Sequence, residues 1–534
     1  MNKAKKILLY VFLGVTLVAL GWWCVNKYNT SLPDNNLPTT RYGAFLASQH
    51  AVYVNDFASA SGFCQVLTDV ENSSVENLRI VADFLNGNLS ADVSKFQDDK
   101  TMPMSIIYDV YLANNDKWGA LYNRHKNNSS GLFSAFRIWP GIASNHKTNV
   151  LKFIENTETS DDWKSFVRGQ IYSELGDNKK ALEHFQKVNI SFLNINDYLY
   201  LMSFYSHYGF SDQVAKLKQD FVSMPGGMYL VDFSDVPDWS VYSGYKNQMA
   251  FSLLQTVSHT QVISYSDLYL VLLRCAQIIA PNQNADVLGY YLGLFMFNNG
   301  GDFNKYFSSI KKSSPFYPFA LTKAAEANKN IKDLENVLHV YPAFVPALQQ
   351  IVNQYIGAGN KSGALKVINL ALKQGGLNDK TRAFFTKARA NVYYVFGDYK
   401  RAQSDLRFVS DSIGIDGDIL MLQAKIWAAQ KREIETAYEY AMKLVTKNPT
   451  DVFAWDVLGR VVRVREGVDA ALEIVQGVGN IANNCSSLFE NLGDLYNEIG
   501  DIDSALNAYE RAIDLSSDGM VVVPNIEKKI RKLK

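Results

Sequence analysis

The sequence predicts an all-α chain: a solenoid of short helix-turn-helix repeats preceded by one N-terminal transmembrane helix. Three observations predict it. A pattern of small and large residues fills the 34 positions from Ser486 to Gly519. The same spacing recurs upstream through most of the 534 residues. An uninterrupted apolar run, Ile7 to Val25, follows an N-terminal cluster of lysines.

The apolar run comes first. Its 19 residues make a helix about 28 Å long, close to the thickness of a bilayer's hydrocarbon core. Lys3, Lys5 and Lys6 precede it and only Lys27 follows closely, so the positive-inside rule puts residues 1–6 in the cytoplasm and the rest beyond the membrane. Trp22, Trp23 and Tyr28 suit the far interface. Cleavage as a signal peptide needs a small-x-small site, which is missing, and the two tryptophans before Cys24 exclude a lipoprotein. The run therefore reads as an uncleaved signal anchor, with residues 26–40 as a polar tether.

Beyond the tether the helical pattern takes over. Residues 41–223 read as N-terminal repeats, with Asn55-Asp56-Phe57 and Gly176-Asp177 as their turns. Residues 224–260 read as an irregular region. Pro225, Gly226, Gly227, Pro237 and Gly244 break the helical pattern there and predict a long loop packed on the array, dividing it in two. Residues 261–344 read as degenerate repeats, 345–519 as well-formed ones and 520–534 as a capping helix, with Ile526, Ile530 and Leu533 on one face. In the last repeat Gly493, Ala505 and Ala512 let two antiparallel helices approach, while Phe489, Tyr496 and Tyr509 fill the space between them. Gly500-Asp501 ends the first helix, because glycine tolerates the left-handed conformation that stops it. One such pair cannot bury its own apolar face and needs neighbours on both sides.

This spacing resembles the tetratricopeptide repeat (TPR), a 34-residue helix-turn-helix. Matching positions recur at Trp455, Leu458-Gly459 and Ala471, at Ala424, Ala428 and Ala437, and at Ala390, Tyr393, Gly397-Asp398 and Ala402. The resemblance implies that the first helix of each repeat lines a concave groove that holds a protein or peptide. Transferred onto this sequence, the groove positions include Phe384, Lys387, Asn391, Tyr394, Leu422, Ile426, Phe453, Arg460, Arg463, Glu490, Asp494 and Asn497. Lys387 and Asn391 match residues with which some chaperone-binding members clamp a terminal carboxylate. Gln423, Phe453 and Val457 depart from that pattern, so the clamp is not expected.

Composition narrows the function. Lys+Arg and Asp+Glu stand at 53 each, which argues against a dedicated nucleic-acid binder. The hydrophobic fraction of 47% excludes a disordered chain. Cys24, Cys64, Cys275 and Cys485 are scattered and read as small buried thiols. The seven histidines form no metal-binding pair, and Gly357–Ser362 lacks the glycine that a phosphate-binding loop needs before its lysine. No nucleophile elbow or dinucleotide fingerprint occurs, and carboxylate pairs such as Asp161-Asp162 fall at expected turns.

The expected protein is a non-catalytic, membrane-tethered scaffold. It needs no cofactor or metal, binds protein or peptide rather than nucleic acid, and displays its repeats in the periplasm from a bacterial inner membrane. A fixed subunit or assembly factor of an envelope machine is the alternative. An enzyme with its site in the irregular middle is a remoter one.

Overall fold

The computed structural model describes residues 41–517 and 526–534, apart from short segments at 68–72, 90–92, 94–95, 99–102, 129–130, 224–235, 260–266, 282–284, 329, 376, 378 and 480–484. The expected anchor at 7–25, its cytoplasmic tip and the tether lie outside them. Among the described residues there is no strand, and no helix is long and apolar enough to cross a membrane.

The chain divides into two compact units at Asn115–Asp116, well before the irregular region where the sequence pattern suggested a division. The first unit contains α1 (Arg41–Tyr53), α2 (Phe57–Gln65), α3 (Ser73–Leu85) and α4 (Met104–Asn114). Its small core gathers Ala51, Ala60, Cys64 and Ala82. The Cys64 thiol and the Ser48 hydroxyl share a 2.8 Å hydrogen bond.

The second unit opens with α5 (Trp118–His125), α6 (Ala135–Ala143) and α7 (Lys147–Asn156). It continues through α8 (Asp161–Glu174), α9 (Asn178–Phe185), α10 (Ile195–His207), α11 (Ser211–Ser223), α12 (Tyr245–His259), α13 (Asp267–Ile279), α14 (Ala285–Asn298) and α15 (Asn304–Phe307). The remaining pairs are α16 (Tyr317–Ala327) with α17 (Ile331–Val340), α18 (Val345–Gly357) with α19 (Lys361–Leu372), α20 (Asp379–Val395) with α21 (Tyr399–Ile413), α22 (Gly417–Gln430) with α23 (Ile434–Lys447), α24 (Val452–Arg465) with α25 (Val468–Gly479), and α26 (Ser486–Glu498) with α27 (Ile502–Ser517). The short α28 (Ile526–Leu533) ends the chain.

The predicted turns are present. Gly500 stops α26 with a φ of +86°, and Asp501 then caps α27 by accepting the Ser504 N–H at 3.1 Å. Gly176 with Asp177 and Gly359 with Asn360 repeat the device. Asn55 takes the same left-handed place before the capping Asp56. The close approach is equally concrete: a Cβ on Gly493 would lie 2.5 Å from the Tyr509 ring.

Each first helix packs on its own second helix and on its neighbours. From α22 to α27 the apolar faces merge into one core running from Leu420 to Ala508. The last helix closes this stack. Ile526 is buried, and Ile530 and Leu533 rest with it on Ala505, Tyr509 and Ala512, as the sequence pattern predicts for a cap. Cys64, Cys275 and Cys485 are buried thiols.

The irregular region is more regular than expected. Residues 245–259 form a full helix, because Met249, Phe251, Leu253, Leu254 and Val257 bury against α10 and α13. Residues 224–235 and 260 lie outside the described residues, and among the described ones of the region only 236–244 lie outside this helix. There Trp239 and Tyr242 insert between α10 and α12, with ring centres 5.2 and 5.0 Å from Tyr200. The 236–244 stretch thus packs on the array.

Candidate partner-binding face

Consecutive first helices adjoin one another on one side of the array: α20 meets α22, α22 meets α24, and α24 meets α26. That side carries the residues expected to meet a partner. The structure sorts them into three groups.

Leu422 and Ile426 do not face a partner. They are buried with Ile419 against Ala383, Ala390, Ala402 and Leu406 of the preceding repeat. The reason is that α22 is apolar on two sides. Its Leu420, Ala424 and Ala428 enter the core shared with α23 and α24, while Ile419, Leu422 and Ile426 enter the core behind. Positions that line a groove in a polar-faced repeat are packing positions here.

A second group is spent on other parts of the chain. Lys387 Nζ lies 2.6 Å from Asp418 and 3.6 Å from Asp416 of the next first helix. Arg460 donates to Asp456 at 2.9 Å, to Glu490 at 2.7 Å and to the Ser487 carbonyl at 2.9 Å. Arg463 pairs with Glu498. Asp494 accepts from the Tyr509 hydroxyl at 2.6 Å and from Lys529 at 2.6 Å. Lys529 also pairs with Glu490, so the capping helix supplies the cation for the acidic end of the face.

The pattern is a ladder. A base on one first helix reaches an acid on the next: Lys387 to Asp418, Lys425 to Asp456, and Arg460 to Glu490. Asp456 is its most buried rung. It accepts from Lys425 at 3.1 Å, from Arg460, from the Ser487 hydroxyl at 2.7 Å and from the Asn491 amide at 3.2 Å. Burial pushes its carboxyl up, but the two cations and the hydroxyl outweigh that and hold it down at about 2. Glu490 is likewise buried, and Arg460 and Lys529 draw its pKa below the ordinary value. Asp456 falls at a groove position of the repeat from Val452, whereas Lys425, Asn491 and Lys529 were not singled out from the sequence. The available signal was the separation of 31 residues between Lys387 and Asp418 and again between Lys425 and Asp456.

The third group stays open. Asn391, Phe453 and Asn497 are exposed, with Phe453 at 39%. Phe384 and Tyr394 are half-buried, beside Phe385 and Tyr399 respectively. This leaves a mixed surface of amides and rings between charges that are already paired. Such a surface offers contact area and hydrogen bonds without a large net field. Among the described residues no group of three or more histidine, cysteine or acidic side chains could hold a metal ion.

Segments 166–189 and 486–518, which overlap the helix pairs α8–α9 and α26–α27, match the family model described as tetratricopeptide repeat. These two segments are similar to tetratricopeptide repeats. Among the described residues, further helix pairs lie between the two matched segments. No curated protein matches the chain. Among solved structures it is similar to a tetratricopeptide repeat protein from Parabacteroides merdae, at 12% identity over 47% of this chain and 92% of that one, with a TM-score of 0.33. It is also similar to YrrB, described as a TPR protein with an unusual peptide-binding site, at 21% identity over 35% and 95% with a TM-score of 0.22. A third likeness is to the Cut9–Hcn1 hetero-tetramer of APC/C, at 14% identity over 93% and 96% with a TM-score of 0.33. At scores this low the likenesses add nothing to the repeats read from the residues themselves.

Proposed function

We propose that the chain is a non-catalytic TPR scaffold that holds a protein or peptide partner along its first-helix face. In this reading the apolar run at 7–25 tethers it to a bacterial inner membrane with the repeats in the periplasm. The supporting observation for binding is the open part of that face. Asn391, Phe453 and Asn497 stand exposed on three of the first helices, while the charges between them are already neutralised. The tether rests on the sequence alone, on the 19 apolar residues and the lysines before them.

A photo-crosslinking amino acid placed at 391, 453 or 497 tests the face. Adducts are expected from those positions and not from Glu439, exposed on the second helix α23. Equal yields from all four remove the proposal. Protease added to intact spheroplasts tests the tether, with loss of the repeats expected and their survival decisive against it.

A second reading, a fixed subunit or assembly factor of an envelope machine, has its own support. Val340, Leu370 and Phe408 occupy the same place, the tenth residue, in α17, α19 and α21, and are 65%, 43% and 44% exposed. Large apolar side chains repeated on the second helices suit a permanent interface better than a transient one. Purification of a stoichiometric complex in mild detergent favours this reading, and a mixture of substoichiometric clients favours the first.

A further inference from the structure

The charge balance of the whole chain hides a local imbalance. From Lys117 to Ile154 there is no aspartate or glutamate, yet Lys117, Arg124, Lys126, Arg137, Lys147 and Lys152 all fall within it. Half of these cations surround a single cavity. A space of about 750 Å³ opens between α5, α6 and α7, lined by Lys126, Arg137 and Lys152. Tyr122 and Phe153 form its apolar part, and Asn127, Asn149 and Asn156 add amides. Glu158 is its one acidic lining residue.

We propose that this cavity binds an acidic peptide segment of a partner protein. The site is separate from the first-helix face of the later repeats and does not depend on it. Its volume lies in the range of natural ligand pockets and holds a few residues. The cations supply the attraction. Arg137 is the fixed one: its guanidinium sits 4.0 Å over the Phe153 ring and donates to the Asn128 carbonyl at 2.6 Å. Lys126 and Lys152 are exposed lining residues, and the Lys126 bond to the Asn123 amide oxygen, at 3.2 Å, lies at the surface where a carboxylate can replace it. The amides match the donors and acceptors of a peptide backbone.

A nucleic acid fits less well. Phe153 already carries the Arg137 guanidinium on its face, so it offers no free surface for a stacked base. Glu158 opposes a backbone that is charged at every step, but it can face the uncharged positions of a peptide.

The test is fluorescence anisotropy with the full chain and a labelled peptide of alternating glutamate and serine. The peptide is expected to bind. Exchange of its glutamates for glutamine, or the variants Lys126→Glu and Lys152→Glu, is expected to weaken binding by about tenfold each. Both lysines are exposed, so folding is not at stake. Lys443→Glu and Lys447→Glu, exposed on α23, make the same change in net charge and are expected to leave binding unaltered. The proposal is overturned if the peptide does not bind, if its glutamine version binds equally, or if the α23 variants weaken binding as much. It is also overturned if a single-stranded oligonucleotide displaces the peptide at lower concentration.

Discussion

Between Ala135 and His259 neighbouring first helices meet mainly through rings and amides, with one buried acid, Asp197 of α10, 2.8 Å from the Gln255 amide and 2.6 Å from His259 of α12; between Gly417 and Leu533 they meet through a run of charges. In the earlier region the Trp139 indole donates to Ser252 at 2.8 Å, and the ring centres of Phe166, Tyr200 and Phe251 lie 4.5 to 6.2 Å apart. Gln248 completes the contact, its side chain shared between Tyr200 and Gln170. In the later region the contacts are Lys425 to Asp456, Arg460 to Glu490, and Lys529 to Glu490 and Asp494. The difference teaches that the fold fixes how the two helices of a pair approach but leaves open what joins one pair to the next. Rings close the inner side and leave little for a partner. Charges join it at discrete rungs and leave amides and rings between them exposed.

The comparison breaks most visibly if a ring is removed. Phe251→Ala deletes a fully buried phenyl group shared by α8, α10 and α12. The expected cost is about 4 kcal/mol, from lost burial and the cavity left behind. In a repeat array such a loss stays near its origin. Native-state hydrogen exchange is expected to accelerate in α8, α10 and α12 while α24 and α26 keep their protection. Uniform acceleration would mean that the two regions unfold as one.

Asp456→Ala is the matching break at the charged end. It leaves Lys425 and Arg460 facing a space with no shared acid, at an expected cost of about 3 kcal/mol, now with exchange accelerated in α22, α24 and α26. Removing all three side chains together as apolar residues of similar size is expected to cost much less, because the penalty comes from unpaired charge rather than from the missing bonds.

Which parts of this contrast could be read in advance follows from what each region asks of its residues. Gly500-Asp501, Gly493, Ala505 and Tyr509 are dictated by backbone conformation and helix contact, so they show in the sequence as fixed spacings. The cap at Ile526, Ile530 and Leu533 was legible for the same reason. Leu422 and Ile426 were misread as groove residues because spacing within a helix does not say that α22 is enclosed from two sides. Helix 245–259 was hidden by the prolines and glycines just before it. Lys529 was out of reach, since a cation 39 residues from Glu490 becomes its partner only when the last helix folds back.

Acid sharpens the comparison by acting on the two regions with opposite sign. Asp456 is held below its unfolded pKa, so its contribution is complete above about pH 4 and is lost as pH falls toward about 2, amounting to about 2 kcal/mol. Glu490 adds to the loss in the same direction. In the ring-bound region Glu174 behaves otherwise. Burial raises its pKa, although the Gly244 N–H and Gln248 bond its carboxylate and oppose that rise. Its effect on stability is therefore most favourable below its unfolded pKa and fades as pH rises. Exchange rates corrected for their intrinsic pH dependence are expected to show α24 and α26 loosening between pH 4 and 2.5, whereas α8 and α12 tighten only above that window, as pH falls toward about 4.5, and are unchanged within it. Parallel loosening of both regions would count against the assignment of charges to one and rings to the other.

The smallest effect marks where the ladder stops mattering. Arg463 and Glu498 form a pair between α24 and α26 like the others, but Glu498 is exposed and Arg463 half-exposed. Water and salt screen such a pair, and holding two long side chains together costs conformational freedom. Glu498→Gln is therefore expected to change stability by less than about 0.5 kcal/mol and to leave exchange in α24 and α26 within error. The contrast with Asp456 is the point of the measurement, since both acids receive an arginine from α24. If Glu498→Gln proved as damaging as Asp456→Ala, burial would not be what gives the inner rungs their strength, and the ladder would have to act through the summed field of its charges.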